Sequence, residues 1–565
     1  MKDQPAPPLL SNAEIADRLT SLAQLLSTQK ENPFKVKAYR RAAETIRALP
    51  DSVEDLVRRD VDLTEYSRIG KGISNAIREI VLSGSLRKLE SLRSQVTPEV
   101  AAINEYPRLD PKRVLRIYKK LKISSIEALK EKLETGEIAR TLGVRMDQHV
   151  RQALIERREM PLYDAEDVVS AVEEYLLNRC GVSRAEATGD YRRRVEIIPE
   201  ISFLIETGDF PAVIAKLERY GGKSELLDSG DSRAIFRLSS GTKLTVEAAR
   251  KEKWGVALIA CTGSENHLRK LADAGRNLKD LAKSKQSFPD ETAAYTKLGL
   301  SFIEPELREG RDEVELAARS SLPVLVRATD IRGELHAHST SSDGSHTIEQ
   351  MAAGAREKGY EYLGISDHSQ SLKIARGVPV KDLWLQIRFI DKLNQKISGI
   401  RILKSAEVDI LADGSLDYPD ERLRELDYTV CSIHSRFALG KTEQTERILR
   451  AMDNRYFTIL GHPTGRLLLK RPGYEIDMQR VIEHARKNGC FFEINSSPDR
   501  LDLSAENARL SRDAGVKIAI STDAHSIREL DYINWGIDQA RRAGLAGGEV
   551  LNCLAWPELQ RIIKR

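Results

Sequence analysis

Apolar residues recur at spacings of three and four through NAEIADRLTSLAQLLST (residues 12–28) and again through KAYRRAAETIRAL (residues 37–49), the period of an amphipathic helix. The pattern holds from Asn12 to about Glu159 without a run that asks for a strand. From about Glu166 to Cys261 the texture changes: VEIIPEISFLI, RAIFRLSS and TKLTVEA read as strands set between helical segments, an α+β arrangement. Ser264 to about Arg319 is again charged and helical, and SSLPVLVRATDIRG leads into a separate unit. After Glu334 short apolar runs (YLGISDHS, ILKSAEVDI, YTVCSIHS, FTILGHPTG, CFFEINSS, VKIAISTDAHS) each end in a polar cluster and alternate with amphipathic segments such as IEQMAAGAREKG, KTEQTERILRAM, DMQRVIEHARKNG and SAENARLSRDAG. Repeated β-then-α units over this length predict a parallel barrel.

A chain of 565 residues with 41% hydrophobic content has room for several cores, and ordinary domain sizes predict about three to five units. The net charge of +4 and a pI near 8.6 permit a nucleic-acid partner without requiring one. No stretch of about eighteen apolar residues is present, and MKDQPAPPLLSNAEI lacks a basic start followed by an apolar run. We therefore expect a soluble cytoplasmic protein. The five cysteines are scattered with no C-x-x-C pair, which argues against disulfide frameworks and zinc–cysteine sites and for reduced thiols.

In parallel barrels functional groups gather where strands end. The strand ends here collect His336, His338, Asp343, His368, Glu407, His434, His462, Asp523 and His525, six of the chain's ten histidines among them. Residues i and i+2 of a strand point to one face, so the H-A-H and D-A-H runs place two side chains each where they can grip one ion. Imidazole mixed with carboxylate suits Mn, Zn or Fe better than Ca or Mg. Nine candidate ligands exceed the needs of one ion, so two or three are expected. Such ions favour phosphoester hydrolysis.

This set resembles the PHP (polymerase and histidinol phosphatase) domain, a distorted (β/α)7 barrel with a trinuclear metal site. The resemblance implies that His336, His338, Glu407 and Asp523 surround one ion and that Glu407 bridges to a second held by His434 and His462. It places Asp343, His368 and His525 on the third. Arg376, in SLKIARG, is the candidate phosphate binder, and His346 and Asp367 are left as supporting residues.

In the front half, NPFKVKAYRRAAETIRALP places Lys35, Lys37, Arg40 and Arg41 around Phe34 and Tyr39, a helix that suits DNA phosphates. SRIGKGISNAI has Gly70 and Gly72 opening a helix, where backbone N–H groups are exposed to a phosphate. This looks like a helix-hairpin-helix, which grips the backbone without reading bases. RLDPKRVLRIYKKLK carries seven lysines and arginines against one acid. In order, these features resemble the bacterial family X DNA polymerases with a C-terminal PHP domain. The resemblance implies an all-α DNA-binding region, a nucleotidyltransferase-like palm and the barrel. It divides the chain into a tail (1–11), a DNA-end-binding domain (12–90), a fingers-like domain (91–164), a palm (165–263), a thumb-like segment (264–320), a linker (321–333) and the PHP domain (334–565).

The palm departs from the family pattern. In TGDYRRRVEIIPEISFLI, Gly189, Arg192 and Arg193 persist, but the serine position is Asp190, and the paired aspartate positions fall on Glu200 and Ser202. The third falls on Thr245 or, with a shift, on Glu247. The aromatic pair expected before Thr262-Gly263-Ser264 is Ala260 and Cys261, and a second helix-hairpin-helix has Arg108 and Asp110 at its glycine positions. The expectation is a metal-dependent phosphoesterase acting as a monomer on gapped or nicked DNA ends, by 3′–5′ exonuclease, AP-endonuclease or 3′-phosphatase chemistry. The polymerase half would be an inactive scaffold. A working gap-filling polymerase and a phosphatase of small phosphate esters are the alternatives.

Overall fold

The structure is a computed structural model that describes residues 10–28, 32–94, 116–117, 120–123, 126–143, 146–147, 150 and 159–564. The first helices, Asn12–Thr28, Pro33–Ala48, Val53–Arg58, Lys71–Ser83 and Arg87–Ser94, bury one apolar stripe each. Leu19, Leu22, Ile46, Leu63, Ile77 and Ile80 meet in a single small core. Ser52 caps one helix by accepting from Asp55 N–H, and Gly84, at φ 71°, ends another in the left-handed conformation that glycine adopts without strain.

The middle unit opens with a helix, Leu162–Asn178, that begins three residues before the boundary read from the sequence and packs on a five-stranded mixed sheet. Glu200–Glu206 lies beside Arg184–Ala187 antiparallel and beside Lys243–Ala248 parallel, with Arg233–Arg237 and Glu225–Ser229 added on the far side. The strands Arg184–Ala187 and Glu225–Ser229 were not anticipated. They are edge strands, Arg184–Ala187 half-buried with only alanines as its apolar residues and Glu225–Ser229 mostly exposed, so neither shows the strong apolar alternation by which a strand is read.

In the C-terminal unit, Gly333–Ala337, Tyr362–Ile365 and Arg401–Lys404 pair in parallel. So do Glu407–Asp409, Val430–Ser432, Ile459–Leu460, Phe491–Asn495 and Ile518–Ser521. Only Ser405 and Ala406 separate Arg401–Lys404 from Glu407–Asp409, so these are one passage of chain. Parallel bridges Ala337–Ala524 and His368–Glu407 join the two groups. Most of these strands are buried along their whole length, as a parallel sheet covered on both faces requires. The helices expected from the sequence form at Ile348–Glu357, Lys441–Met452, Met478–Asn488 and Ala505–Asp513.

This unit rests on the middle one. Arg194 Nε donates to Asp538 Oδ2 at 2.7 Å, Arg466 Nη1 to Glu196 Oε1 at 2.7 Å, and Tyr163 meets Trp535 edge-on at 5.7 Å. No helix among the described residues is long and apolar enough to cross a membrane.

Gly364 lies where the Tyr428 hydroxyl passes over the second strand to donate to the Leu335 carbonyl at 2.6 Å. A methyl group there would overlap that hydroxyl. Gly364→Ala should cost on the order of 1–3 kcal/mol through overpacking and lower the melting temperature of the C-terminal unit by several degrees in calorimetry of metal-free protein. An unchanged melting profile would contradict this packing.

Candidate metal centre

Every strand that carries a predicted ligand ends on the same side of the parallel sheet, because parallel strands share one direction. His336 is the fourth residue of its strand, and His338 and Asp343 lie on the turn that follows. Gly344 closes that turn with its backbone against Ser339, leaving no room for a Cβ. Asp367 holds the same turn by accepting from Ser339 N–H at 2.8 Å, Ser339 Oγ at 2.6 Å and Ser342 Oγ at 2.6 Å. This is the supporting part assigned to it from sequence.

The structure brings the nine residues together. Ligand atoms within 4.8 Å of one another form three overlapping sets: His336, His338, Glu407 and Asp523; His338, Asp343, His368 and His525; and His368, Glu407 and His434. The first coincides with the set implied for one ion, and the second adds His338 to the set implied for another. In the third, His368 takes the place expected for His462. His462 instead meets Glu407 Oε1 through Nε2 at 2.8 Å.

Glu407 is the centre of the arrangement. Burial acts to raise its pKa, but the His368, His434 and His336 imidazoles outweigh it and hold the carboxyl well below the usual range. Asp523 is held low in the same way, burial being overcome by His336 and His338. For Asp343 the rings of His525 and His368 bring the value down to about 2 against the effect of burial. Three carboxylates are therefore held on the ionised side, Glu407 deep inside and Asp343 at the partly exposed edge of the cluster.

Several ligand-type atoms there are buried and have no hydrogen-bond partner: His336 Nε2, His338 Nδ1, His368 Nδ1, Glu407 Oε2 and His462 Nδ1. His368 Nδ1 and Glu407 Oε2 stand 2.7 Å apart, yet neither is oriented to bond the other. Buried polar atoms without partners are costly, and lone-pair donors aimed inward at this density suit divalent cations. The donor set therefore fits the metal ions expected from the sequence.

Three supporting residues were missed. Glu493 accepts from His336 Nδ1–H at 2.7 Å with one oxygen and from His462 N–H at 2.7 Å with the other. Asp409 accepts from His434 Nδ1–H at 2.5 Å. Fixing Nδ1–H in this way leaves Nε2 as the lone-pair donor. Arg500 brings Nε to 3.7 Å from Asp523 Oδ2. Asp409 lies two residues after Glu407 on the same strand, a spacing that carries a signal, whereas Glu493 sits inside a buried strand and carries none. Arg500, on a loop, carried none. Arg376 is exposed, in the left-handed conformation at φ 56°, on the loop after His368.

In the front half, Lys37, Arg40 and Arg41 are exposed on the helix Pro33–Ala48, Lys35 is half-buried beside them, and Tyr39 packs partly on the core. Gly70 caps the helix Lys71–Ser83 and Gly72 lies in its first turn. Both are exposed, and an added Cβ at either would meet nothing. Internal packing therefore does not explain these glycines. Arg108, Asp110 and most of the basic run around them lie outside the described residues.

In the middle unit, Ser202 is paired directly with Thr245, and Glu200 with Lys243, whose Nζ is 2.6 Å from Glu200 Oε2. The pairing of these two strands runs without a bulge from Glu200–Lys243 to Ile205–Ala248. Glu247 lies opposite Leu204, four residues and roughly 13 Å along from the Glu200 pair. Arg192 makes a two-pronged bond to Glu291 at 2.7 and 2.8 Å. Arg193 spends its three nitrogens on Glu309, the Thr262 carbonyl and Asp190.

Two family models match the chain: a helix-hairpin-helix domain over residues 10–86 and a PHP domain over residues 334–497. The DNA polymerase/3′-5′ exonuclease PolX of Bacillus subtilis (strain 168) is 34% identical over 572 residues, covering 98% of this chain and 99% of that protein. The chain belongs to the PolX family, with a C-terminal PHP domain. A probable phosphatase of Thermoanaerobacter sp. (strain X514) is 32% identical over 39% of this chain and 89% of its own length, and one of Acetivibrio thermocellus is 30% identical over 34% and 78%. With the PHP domain, these matches make this PolX-family chain a metal-dependent phosphoester hydrolase.

Because Glu493 orients His336 and His462 from behind, Glu493→Gln should weaken metal binding on the order of 10–100-fold while leaving the fold intact. Manganese titration calorimetry against circular dichroism separates the two effects, and undiminished affinity would remove Glu493 from the site.

Proposed function

We propose that the chain hydrolyses phosphoester bonds at DNA ends in repair, using a distorted (β/α)7 PHP barrel that holds two or three ions of Mn, Zn or Fe. The front half would present gapped or nicked DNA through its phosphates. The observation that carries this reading is the convergence of nine histidine and carboxylate side chains with unpartnered buried ligand atoms. The ions would supply a Lewis acid for the phosphoryl oxygens and a source of hydroxide near neutral pH.

In this reading His336, His338, Glu407 and Asp523 would hold one ion, His434 and His462 would serve a second with Glu407, and Asp343, His368 and His525 would serve a third. The ionised Glu407 would contribute an oxygen to both of the first two sites. Glu493 and Asp409 fix the imidazole tautomers, and Arg376 meets the phosphate from the exposed loop. A 3′–5′ exonuclease activity agrees with the name of the Bacillus subtilis relative. Similarity to the probable phosphatases spans only the barrel, whereas the PolX likeness spans almost the whole chain, which favours DNA over a small ester.

The name of that relative also includes a polymerase, and here our reading departs from it. Nucleotidyl transfer with two ions needs carboxylates that converge on both. Ser202 and Thr245 carry no charge, Glu200 is paired with Lys243, and Glu247 is too far along its strand to join it. Arg192 and Arg193, and with them Asp190, are spent on internal ion pairs. We therefore assign residues 165–263 to a degenerate palm that serves as a scaffold. Residues 12–90 are the DNA-end-binding domain, 91–164 and 264–320 the fingers-like and thumb-like segments, and 334–565 the hydrolase.

Metal-loaded protein should shorten 3′ ends of gapped duplexes, and His338→Ala or Asp523→Ala should lose bound metal and activity together. In the His338→Ala background, which cannot degrade product, no dNTP should be added across a one-nucleotide gap. Robust extension there would reinstate the polymerase reading, and inert metal-loaded protein on 3′ ends, abasic sites and phosphate monoesters would sink the hydrolase reading.

DNA affinity should fall steeply and linearly in log salt and differ little between sequences. Lys37→Ala with Arg40→Ala should reduce the salt slope by roughly one for each phosphate that is no longer neutralised. An unchanged slope in fluorescence anisotropy would count against this face.

A further inference from the structure

A cavity lies between the segment 307–323 and the helices Ala505–Asp513 and Ile533–Arg542 of the C-terminal unit, and four arginines line it: Arg311, Arg509, Arg512 and Arg542. Like charges gathered in a cavity repel unless something neutralises them, so the carboxylates there decide how to read it. Arg512 is satisfied: its Nη1 donates to the Ala543 and Gly544 carbonyls at 2.8 and 3.0 Å, and its Nε and Nη2 to Asp513. Gly544 is in the left-handed conformation at φ 74°, and a Cβ on it would run into that guanidinium.

The other three are not satisfied in the same way. Arg542 Nη1 serves the Arg193 carbonyl and Glu309, but its Nε is buried without a partner. Arg509 reaches Asp513 at 3.2 Å through Nη1, and its Nε is likewise buried and unpartnered. Arg311 makes only a long hydrogen bond, 3.4 Å, to the Arg542 carbonyl and no ion pair among the described residues. Its pKa is lowered by burial and then by the neighbouring Arg509 and Arg542.

Of the acids on the cavity wall, Glu313 spends its oxygens on His267 and on the Gly310 and Arg311 N–H groups, and Glu549 accepts from Ala546 N–H. Asp312 is exposed and makes no ion pair among the described residues. Leu307, Leu316 and Leu322 form an apolar wall opposite.

We propose that this cavity is a phosphate-binding site, separate from the metal centre, in which Arg311, Arg509 and Arg542 grip a phosphate group while the leucine wall accepts the sugar or base attached to it. Guanidinium forks match phosphate oxygens geometrically, and the two buried Nε–H groups are donors that such oxygens satisfy. The phosphate belongs either to a free mononucleotide, such as the hydrolase would release, or to the backbone of a bound DNA strand. Because Arg311 comes from one unit and Arg509 and Arg542 from another, occupancy would tie the two together.

The test uses full-length protein in EDTA, so that phosphate cannot bind at metal ions, and compares wild type with Arg311→Gln/Arg509→Gln and with Arg311→Lys/Arg509→Lys. Inorganic phosphate and dAMP are titrated in thermal melts, where a ligand of the folded state raises the melting temperature with concentration. A gapped duplex is titrated by anisotropy. A wild-type rise with phosphate and dAMP that the Gln variant loses and the Lys variant partly keeps supports the site with a free nucleotide. No response to either small probe, but a several-fold weaker duplex affinity in the Gln variant alone, supports the site with a DNA backbone phosphate. The proposal is overturned if the Gln variant responds to all three probes as wild type does, or if no probe binds the wild type. Failure here leaves the hydrolase reading untouched, since EDTA removes the barrel's metals from the experiment.

Discussion

The fold of the C-terminal unit is organised around one buried carboxylate. Glu407 is almost wholly removed from solvent, and an ionised carboxylate in such a place is tenable only when it is surrounded by compensating charge or metal. Four imidazoles approach it within 3.7 Å, from His336, His338, His368 and His434, and His462 bonds it directly. Those rings arrive from different strands, so the strands must end in register on one side of the sheet. The bridge His368–Glu407 and the bridge Ala337–Ala524 fall where the rings meet. The same demand explains the buried carboxylates behind the rings: Glu493 and Asp409 each receive an Nδ1–H. Without them those ring faces would lose the hydrogen bonds that set their orientation.

The middle unit obeys the opposite logic. Where a triphosphate site needs free cations and converging carboxylates, this sheet neutralises its charges internally. Arg192 binds Glu291, which also receives Arg308, and Arg193 and Arg542 share Glu309. Arg194 reaches across to Asp538, whose pKa burial raises to about 6 even against the pull of Arg194. Two of the three consecutive arginines thus lie in the contact between units. Charge-assisted, partly buried bonds of this kind fix one geometry more firmly than surface pairs do, so the middle unit and the C-terminal unit are held in one relative placement.

How much of this could be read from the sequence followed from where the information sits. The nine candidate ligands lie at or just past strand ends, so their convergence was legible in the alternation of apolar runs and polar clusters. Helices with strong apolar stripes, such as Met478–Asn488 and Ile348–Glu357, were equally plain. Edge strands such as Glu225–Ser229 were invisible because their side chains face water on both sides. Glu493 was hidden for a different reason: inside CFFEINSS it reads as an oddity of a buried strand, and only the approach of His336 from a strand 157 residues away gives it a partner. Long-range pairing is what a single sequence does not display.

The same distinction governs the choice of register in the palm. From sequence, Thr245 and Glu247 were both open for the third acidic position, since both lie on one face of one strand two residues apart. Pairing shows what each has beside it: Ser202 against Thr245 places two neutral hydroxyl side chains side by side, with Thr245 Oγ1 buried and unpartnered, whereas Glu247 lies opposite Leu204. A sheet that had to hold two divalent ions at this point would set carboxylates there and accept their mutual repulsion in the absence of metal. One that has no ions to hold is relieved of that repulsion, and Lys243 can move in to neutralise the remaining Glu200. In the reading proposed above, the uncharged Ser202 and Thr245 and the Lys243–Glu200 pair are therefore parts of one electrostatic arrangement, which favours a metal-free sheet.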